Sequence, residues 1–110
     1  MMDFEQYQAK AKTFAEYQDE LYPFLGLAEE VGEFIGYTAK FARGDDLEKR
    51  FGSWEEHDKA ALKEAGDVLW QLSQCLDRMG LSLQAAAEMN IAKLEDRKAR
   101  GVIKGQGDTR

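Results

Sequence analysis

Three carboxylates lie within five residues of one another, at Glu29, Glu30 and Glu33. With 100° per residue in an α-helix, Glu30 lies at the edge of an apolar stripe, and Glu33 lies about 60° further round. Like charges at i and i+4, such as Glu29 and Glu33, cost an isolated helix about 0.2–0.5 kcal/mol. A cation between this helix and another would explain the cluster. The alternative is a solvated helix face, because Glu is a good helix former.

A second acid pair, Glu64 and Asp67, has i, i+3 spacing within another helical pattern. Two helices packed antiparallel could bring Glu30, Glu33, Glu64 and Asp67 to one place. Such hard oxygen ligands suit Mg²⁺, with Mn²⁺ as a substitute, and leave positions for water or phosphate oxygens. Because four carboxylates repel a triphosphate unless a cation reverses the local charge, we expect the cation and the anionic substrate to bind together.

A di-iron carboxylate site is the rival metal hypothesis, and it needs two Glu-x-x-His pairs on facing helices. The single histidine, His57, has Trp54 at the i−3 position, so no such pair exists. We interpret His57 as a helix-edge residue. The single Cys75 excludes an internal disulfide and is more typical of a small core residue than of a nucleophile. Trp54 and Trp70 are candidates for a pocket wall, and Trp70 could equally mark an oligomer contact. We assign neither of them a role.

One amide and two cationic side chains, which could complement the acids, lie near the end of the chain. Asn90, Lys93 and Arg97, at i, i+3 and i+7, fall within about 60° of one another on a helix. Lys and Arg suit phosphate oxygens, and an amide can bind a base, a sugar or a phosphate. The alternatives are an Asn that fixes helix register and cations whose stems cover apolar surface. Tyr37 lies near the Glu30 and Glu33 face and could stack on a base, although core packing is the commoner role.

Capping residues and apolar periodicity predict four helices and no strand. The connection between the second and third helices can form a short extra turn at residues 47 to 51. The predicted helices run from Asp3 as N-cap to about residues 16 to 19, from Pro23 to Ala42, from Ser53, in a capping box with Glu56, to Gly80, and from Ser82 as N-cap to Arg100.

The second and third helices carry the apolar stripes that we expect to be buried. This pattern predicts an all-α fold in a single domain over residues 1–110, with a mobile tail at about 101–110. The residues of the stripes are Leu27, Val31, Phe34, Ile35, Thr38 and Phe41 on the second helix and Ala61, Leu62, Ala65, Val68, Leu69, Leu72, Leu76 and Met79 on the third.

Charge and hydropathy limit the partners that we expect. The formal net charge of −6 argues against binding to nucleic-acid polymers or anionic membranes through a basic surface. The apolar runs are too short for a membrane span, and no signal-peptide pattern is present. We therefore expect a cytoplasmic protein.

The acid motifs resemble those of the MazG-like all-α nucleoside triphosphate pyrophosphohydrolases, a family with Glu-Glu-x-x-Glu followed by Glu-x-x-Asp on a second helix. Residues 29–33 and 64–67 match both motifs. The resemblance covers about residues 24–108 and continues through residues 66–70, 90–94 and 97–101 to the Gly-Asp pair at 107–108. The connection between the motifs, 30 residues long, lies toward the long end for this family.

This resemblance implies Mg²⁺ binding by Glu30, Glu33, Glu64 and Asp67, with Glu29 supporting the cluster or orienting water. It also implies that Asn90, Lys93 and Arg97 face the nucleotide. The implied reaction converts a nucleoside or deoxynucleoside triphosphate and water to the monophosphate and pyrophosphate. The implied architecture is a four-helix bundle completed by assembly into a homodimer or homotetramer. The alternative is a non-catalytic helical oligomer that binds nucleotide or regulates a partner.

Overall fold

A computed structural model of the chain describes residues 1–105 and 107. This part of the protein is helical and has no strand, which confirms the predicted all-α class. No helix within it combines the length and hydropathy needed to cross a bilayer. Four helices correspond to the predicted ones, and the short α3 lies where an extra turn was expected. The elements are α1 (Phe4–Ala11), a 3-10 turn (Lys12–Phe14), α2 (Tyr22–Ala42), α3 (Leu47–Phe51), α4 (Trp54–Arg78) and α5 (Leu83–Ala99).

Side-chain caps begin every described α-helix except α2, close to the predicted positions. Asp3 and Gln6 form a capping box on α1, in which each side chain accepts the other's backbone N–H at 2.8 and 2.9 Å. On α4, Ser53 Oγ accepts the N–H of Glu56 at 3.1 Å as predicted. The Glu56 carboxylate instead accepts from Lys59 Nζ at 3.1 Å, so only half of the predicted capping box forms.

The first helix is shorter than predicted. It was expected to reach residues 16 to 19, but α1 ends at Ala11, and the backbone is extended by Ala15. The physical reason is a tertiary contact, because the Tyr17 hydroxyl accepts a hydrogen bond from Gln74 Nε2 on α4 at 2.9 Å. The chain leaves the helix to make this contact, which local periodicity does not encode.

Helices α2 and α4 form the antiparallel pair expected from the acid motifs. At one end the helices approach so closely that a Cβ on Gly26 would lie 2.5 Å from Gln71 Nε2. At the other end the Tyr37 and His57 rings are 5.9 Å apart. Residue numbers rise from Gly26 to Tyr37 along α2 and fall from Gln71 to His57 along α4, so the two helices are antiparallel. The acid motifs therefore lie opposite each other midway along the pair.

Helix α1 links α4 to the start of α5. The indole N–H of Trp70, left unassigned above, donates to the carbonyl of Ala11 at 3.0 Å. Gln8 donates to Leu81 O at 3.0 Å and accepts the N–H of Leu83 at 2.9 Å, both at the N-terminal end of α5. Helix α5 consequently packs against α1, which separates it from the main part of the α2 and α4 pair.

The predicted burial of the apolar stripes is wrong for much of their length within one chain. Phe41 is 65% exposed and Leu62 is 72% exposed. Two polar side chains of α4, Gln71 and Gln74, are buried instead. Periodicity locates an apolar stripe, but it does not say whether this chain or another one covers it. We call the exposed set the apolar face, and it consists of Val31, Phe34, Ile35, Phe41, Leu62, Leu72 and Met79.

After α5 the described chain turns back toward the helix. Gly101 adopts a left-handed φ of +72°, and the N–H of Val102 donates to Arg97 O at 2.9 Å. The N–H of Gly105 donates to Val102 O at 3.0 Å. The predicted mobile tail also includes residue 106 and residues 108–110, which lie outside the described residues.

Candidate metal centre

Three of the predicted ligands lie together between α2 and α4. Glu30, Glu33 and Glu64 each offer a carboxylate oxygen, and these oxygens lie within 4.8 Å of one another. The i, i+3 spacing on α2 places its two acids toward α4. Opposite ligands of an octahedral Mg²⁺ ion are about 4.2 Å apart, twice the metal–oxygen distance. The spacing therefore suits a hard divalent cation after small side-chain movements.

Two of these carboxylates have oxygens that the described chain leaves without a partner. Glu30 Oε2 and Glu64 Oε2 are buried, and neither accepts a hydrogen bond from any described residue. Buried polar atoms are normally paired, and an unpaired charged group costs more than a neutral one. A solvated helix face would not produce such atoms, because water would reach them. The two oxygens therefore favour the metal-site hypothesis over the solvated-face alternative.

The pKa values of Glu30 and Glu64 are both raised, so the site disfavours the ionised form of each carboxyl group. Burial is the largest cause of the raised pKa of Glu30, followed by the negative charges of Glu33, Asp67, Glu64 and Glu29. Burial also leads for the raised pKa of Glu64, followed by the charges of Glu33 and Asp67 and a hydrogen bond with Glu33. A bound cation would reverse this effect, because it favours the ionised form of each carboxyl group.

The remaining acids lie at the edge of this group. Asp67 is exposed and does not belong to the three-carboxylate set. It is nevertheless close enough to contribute to the raised pKa of Glu30 and Glu64, and to that of Tyr7 on α1, where burial is the larger cause. Glu29 is exposed and also raises the pKa of Glu30. Both acids can therefore influence a bound cation from the periphery.

An open cavity of about 460 Å³ adjoins the carboxylates and is called the acid cavity below. Two cationic residues on its wall, Lys40 and Arg50, were not among the predicted site residues. Lys40 follows Glu33 by seven residues, two helical turns, so the sequence contained a signal for it. The position of Arg50 depends on how α3 docks, which no spacing predicts. The lining residues are Glu29, Gly32, Glu33, Gly36, Tyr37, Lys40, Arg50, Phe51 and Glu64.

A second, apolar pocket of about 360 Å³ shares one wall with the acid cavity. That wall is Tyr37, which lines both. His57 lines the apolar pocket as an aromatic-cluster residue, with its ring 5.4 Å from Phe51 and 5.1 Å from Trp54. The half-buried Tyr37 therefore lies where a planar group could stack beside a phosphate chain in the acid cavity.

The three predicted residues of α5 are not among those that line the acid cavity. Asn90 and Lys93 are exposed. Arg97 is only 4% exposed, and its Nη2 donates to Gly107 O at 3.2 Å, so it fastens the chain that follows α5. Since α5 packs against α1, one chain does not bring these residues to the carboxylates. Their contact with a nucleotide stays a prediction.

Comparison with known proteins identifies the family of the chain. Residues 18–102 match the family model of the MazG nucleotide pyrophosphohydrolase domain. The chain is 34% identical over 90 residues to the Gene 37 protein of Mycobacterium phage L5, an alignment that covers 81% of this chain and 75% of that protein. No solved structure matches the chain at a significant level. The family match covers well over half of the chain, including both acid motifs, and the chain therefore belongs to the MazG nucleotide pyrophosphohydrolase family.

Proposed function

We propose that this protein hydrolyses nucleoside or deoxynucleoside triphosphates to the monophosphate and pyrophosphate, with Mg²⁺ as cofactor. The observation that carries the proposal is the set of buried, unpartnered carboxylate oxygens between α2 and α4. A hard cation satisfies those oxygens, and a phosphate chain is the substrate group that such a cation most often binds. Membership of the MazG family supports the same reaction class.

Each acid has a role in this proposal. Glu30, Glu33, Glu64 and Asp67 would hold Mg²⁺, and Mn²⁺ would substitute because it accepts the same oxygen ligands. When bound, the metal would polarise phosphate oxygens, neutralise the pyrophosphate leaving group and lower the pKa of the attacking water. Glu29 lines the same cavity outside the three-carboxylate set, and it would orient that water or accept its proton.

The nucleotide-binding roles follow the same layout. Tyr37, between the two pockets, would stack on the base. Asn90 and Lys93 would contact the nucleotide from a neighbouring subunit, because α5 of the same chain packs against α1. Arg97 would act with them by holding the segment after α5 in place, as its hydrogen bond to Gly107 O indicates.

Assembly into a homodimer or homotetramer is the second part of the proposal. A compact 110-residue chain has a radius of gyration of about 13 Å, whereas this chain has 17.1 Å. Its accessible surface is 8290 Å², compared with about 6200 Å² for a compact protein of this mass. Obligate dimers bury about 2000–5000 Å² in total. The excess surface and the apolar face therefore support a second copy as the covering partner.

The charge of the chain favours a small phosphate-bearing substrate over a nucleic-acid polymer. With a formal net charge of −6, the protein attracts polyanions only where a cation reverses the local charge. We propose that residues 1–110 act as one domain in the cytoplasm, where such substrates and Mg²⁺ are both present.

A panel of nucleoside and deoxynucleoside triphosphates, assayed for pyrophosphate, tests the activity. We expect release with Mg²⁺ or Mn²⁺ and none in excess EDTA. Full turnover in EDTA would contradict the metal hypothesis. Nucleotide binding without pyrophosphate release from any member of the panel would instead support the non-catalytic alternative.

A further inference from the structure

The acid cavity contains two cations that form no ion pair with its carboxylates in the described part of the chain. Lys40 is half-buried and Arg50 is exposed, and both line the cavity together with Glu29, Glu33 and Glu64. An ion pair between exposed side chains needs a nitrogen–oxygen distance of about 4 Å or less. Here the cations and the carboxylates line the same cavity, but no such ion pair joins them in the described residues.

Aromatic rings hold both cations in place. Lys40 Nζ lies 5.7 Å from the centre of the Tyr37 ring, and the Arg50 guanidinium lies 6.0 Å from that of Phe51. The two rings pack edge to face at 5.4 Å, so they form one aromatic unit beneath both cations. Cation–π attraction restricts each side chain without neutralising its charge. The cations therefore remain available to an anion.

Asp45, a further carboxylate close to both cations, already has a partner. Arg43 binds Asp45 through two hydrogen bonds of 2.9 and 2.8 Å. That hydrogen-bonded pair is the main reason why the pKa of Asp45 is lowered, and Arg50 and Lys40 add smaller effects. Lys40 and Arg50 are thus both near the C-terminal end of α2. The carboxylate there, Asp45, is already paired with Arg43.

We propose that Lys40 and Arg50 bind the phosphate chain of the substrate in the acid cavity, as substrate-binding residues beside the proposed metal-binding carboxylates. This inference rests on the proposed function. A phosphate chain bound by Mg²⁺ at Glu33 and Glu64 carries negative oxygens on its other side, and the two cations supply donors of opposite charge there. The guanidinium suits two phosphate oxygens at once, and the ammonium acts as a point charge.

Titration with inorganic tripolyphosphate in the presence of Mg²⁺ tests the inference without requiring turnover. The variants are Lys40→Met, which keeps the aliphatic stem against Tyr37, and Arg50→Gln. The matched control is Lys49→Met, because Lys49 is an exposed cation of α3 that does not line the cavity. We expect each cavity variant to weaken tripolyphosphate binding about tenfold to hundredfold, the size of one lost charge-assisted hydrogen bond. We expect the control to change it by less than about twofold.

Rescue separates phosphate binding from a structural role. Lys40→Arg should restore most of the affinity, because it keeps the charge and the contact with the ring. In turnover assays the losses should appear mainly in KM for the triphosphate. Cavity variants that bind tripolyphosphate as tightly as Lys49→Met would overturn the inference, and so would a wild-type protein that does not bind it. Suppose that the wild type binds tripolyphosphate tightly but releases no pyrophosphate from any nucleoside triphosphate of the panel. That result would refute the hydrolase proposal and leave this inference standing.

Discussion

At the scale of single residues, substitution of Glu33 is the most direct test of the proposed metal site. It belongs to the three-carboxylate set and also lines the acid cavity. Glu33→Gln keeps the shape and removes the charge, so we expect the fold to persist while kcat falls about hundredfold or more. Even the substitution of a residue that only supports a metal ligand typically lowers metal affinity or activity about 10–100-fold. Circular dichroism and pyrophosphate release measure the two effects.

The control for this substitution is Glu55→Gln, which removes an exposed acid of α4 whose ion pair with Lys59 is 3.6 Å long. Exposed pairs contribute little, so its activity should match the wild type. A Glu33→Gln protein that retained wild-type turnover would show that Glu33 is not a ligand.

We expect the ionised Glu64 side chain to lower the free energy of unfolding of the protein until a metal ion binds. Its folded pKa lies above the ordinary value of 4.5, chiefly because of burial and then because of Glu33 and Asp67. A raised carboxyl pKa gives a stability contribution that is full below the unfolded pKa and is lost as pH rises through the folded pKa. At neutral pH the ionised Glu64 therefore destabilises the metal-free protein.

We expect Glu64→Gln to raise the Tm in EDTA at about pH 7.5, and the advantage over wild type to shrink as pH falls toward the ordinary pKa of the carboxyl group. Added Mg²⁺ should raise the Tm of the wild type and leave that of the variant almost unchanged. Thermal melts across pH, with and without Mg²⁺, measure both effects. A variant that is less stable than wild type in EDTA would show that Glu64 is not under electrostatic strain.

The sequence predicted which acids lie together better than it predicted which cations line the acid cavity. Glu30, Glu33 and Glu64 were predictable because i, i+3 spacing on two antiparallel helices fixes which side chains can meet. Arg50 was not predictable, because its place depends on the docking of a five-residue helix. Residues on short connecting helices reach a site through tertiary packing, which local patterns do not encode.

At the scale of the helices, Gly26 sets the separation of α2 and α4. A Cβ there would lie 2.5 Å from Nε2 and 2.7 Å from Cδ of Gln71, which is itself buried. We expect Gly26→Ala to lose about 1–3 kcal/mol to overpacking, against a gain of about 0.5–1 kcal/mol in helix propensity. Gly32→Ala is the matched control on the same helix, because its Cβ would meet nothing within 4 Å.

Chemical denaturation in EDTA compares these variants. Gly32→Ala should equal or exceed the wild type in stability, whereas Gly26→Ala should fall below it. Adding Gln71→Ala to Gly26→Ala should recover part of the loss. Equal stability of the two alanine variants would mean that the Gln71 side chain moves aside at no cost.

Helix starts were predictable from local chemistry, and packing was not. Ser53 and Asp3 cap their helices with their own side chains, so a few neighbouring residues decide the outcome. The end of α1 depends on Tyr17 reaching Gln74 across the fold. The apolar stripes of α2 and α4 follow the predicted spacing, but much of their surface is exposed in one chain, which periodicity did not predict.

At the scale of the whole molecule, the apolar face should control assembly. Leu62, which is 72% exposed, lies on this face, so Leu62→Lys would place a charge in the interface between copies. We expect it to shift the protein toward monomer at low micromolar concentration and to reduce turnover in parallel. Met2→Lys, at a position that is 65% exposed, before the first helix and outside the apolar face, is the control. Sedimentation measures the change, and a fully active wild-type monomer would refute the proposal.

Mixing two inactive variants tests whether each site needs two chains. One chain keeps α5 against α1, so in the proposed assembly Lys93 serves the carboxylates of a neighbouring subunit. Glu33→Gln and Lys93→Ala subunits should each have little activity alone. In a random dimeric mixture half of the molecules contain both variants, and one of their two sites has intact Glu33 and Lys93. Turnover should then recover to about a quarter of wild type. If Lys93 serves its own chain, every site in the mixture carries one of the two defects, and no recovery follows subunit exchange.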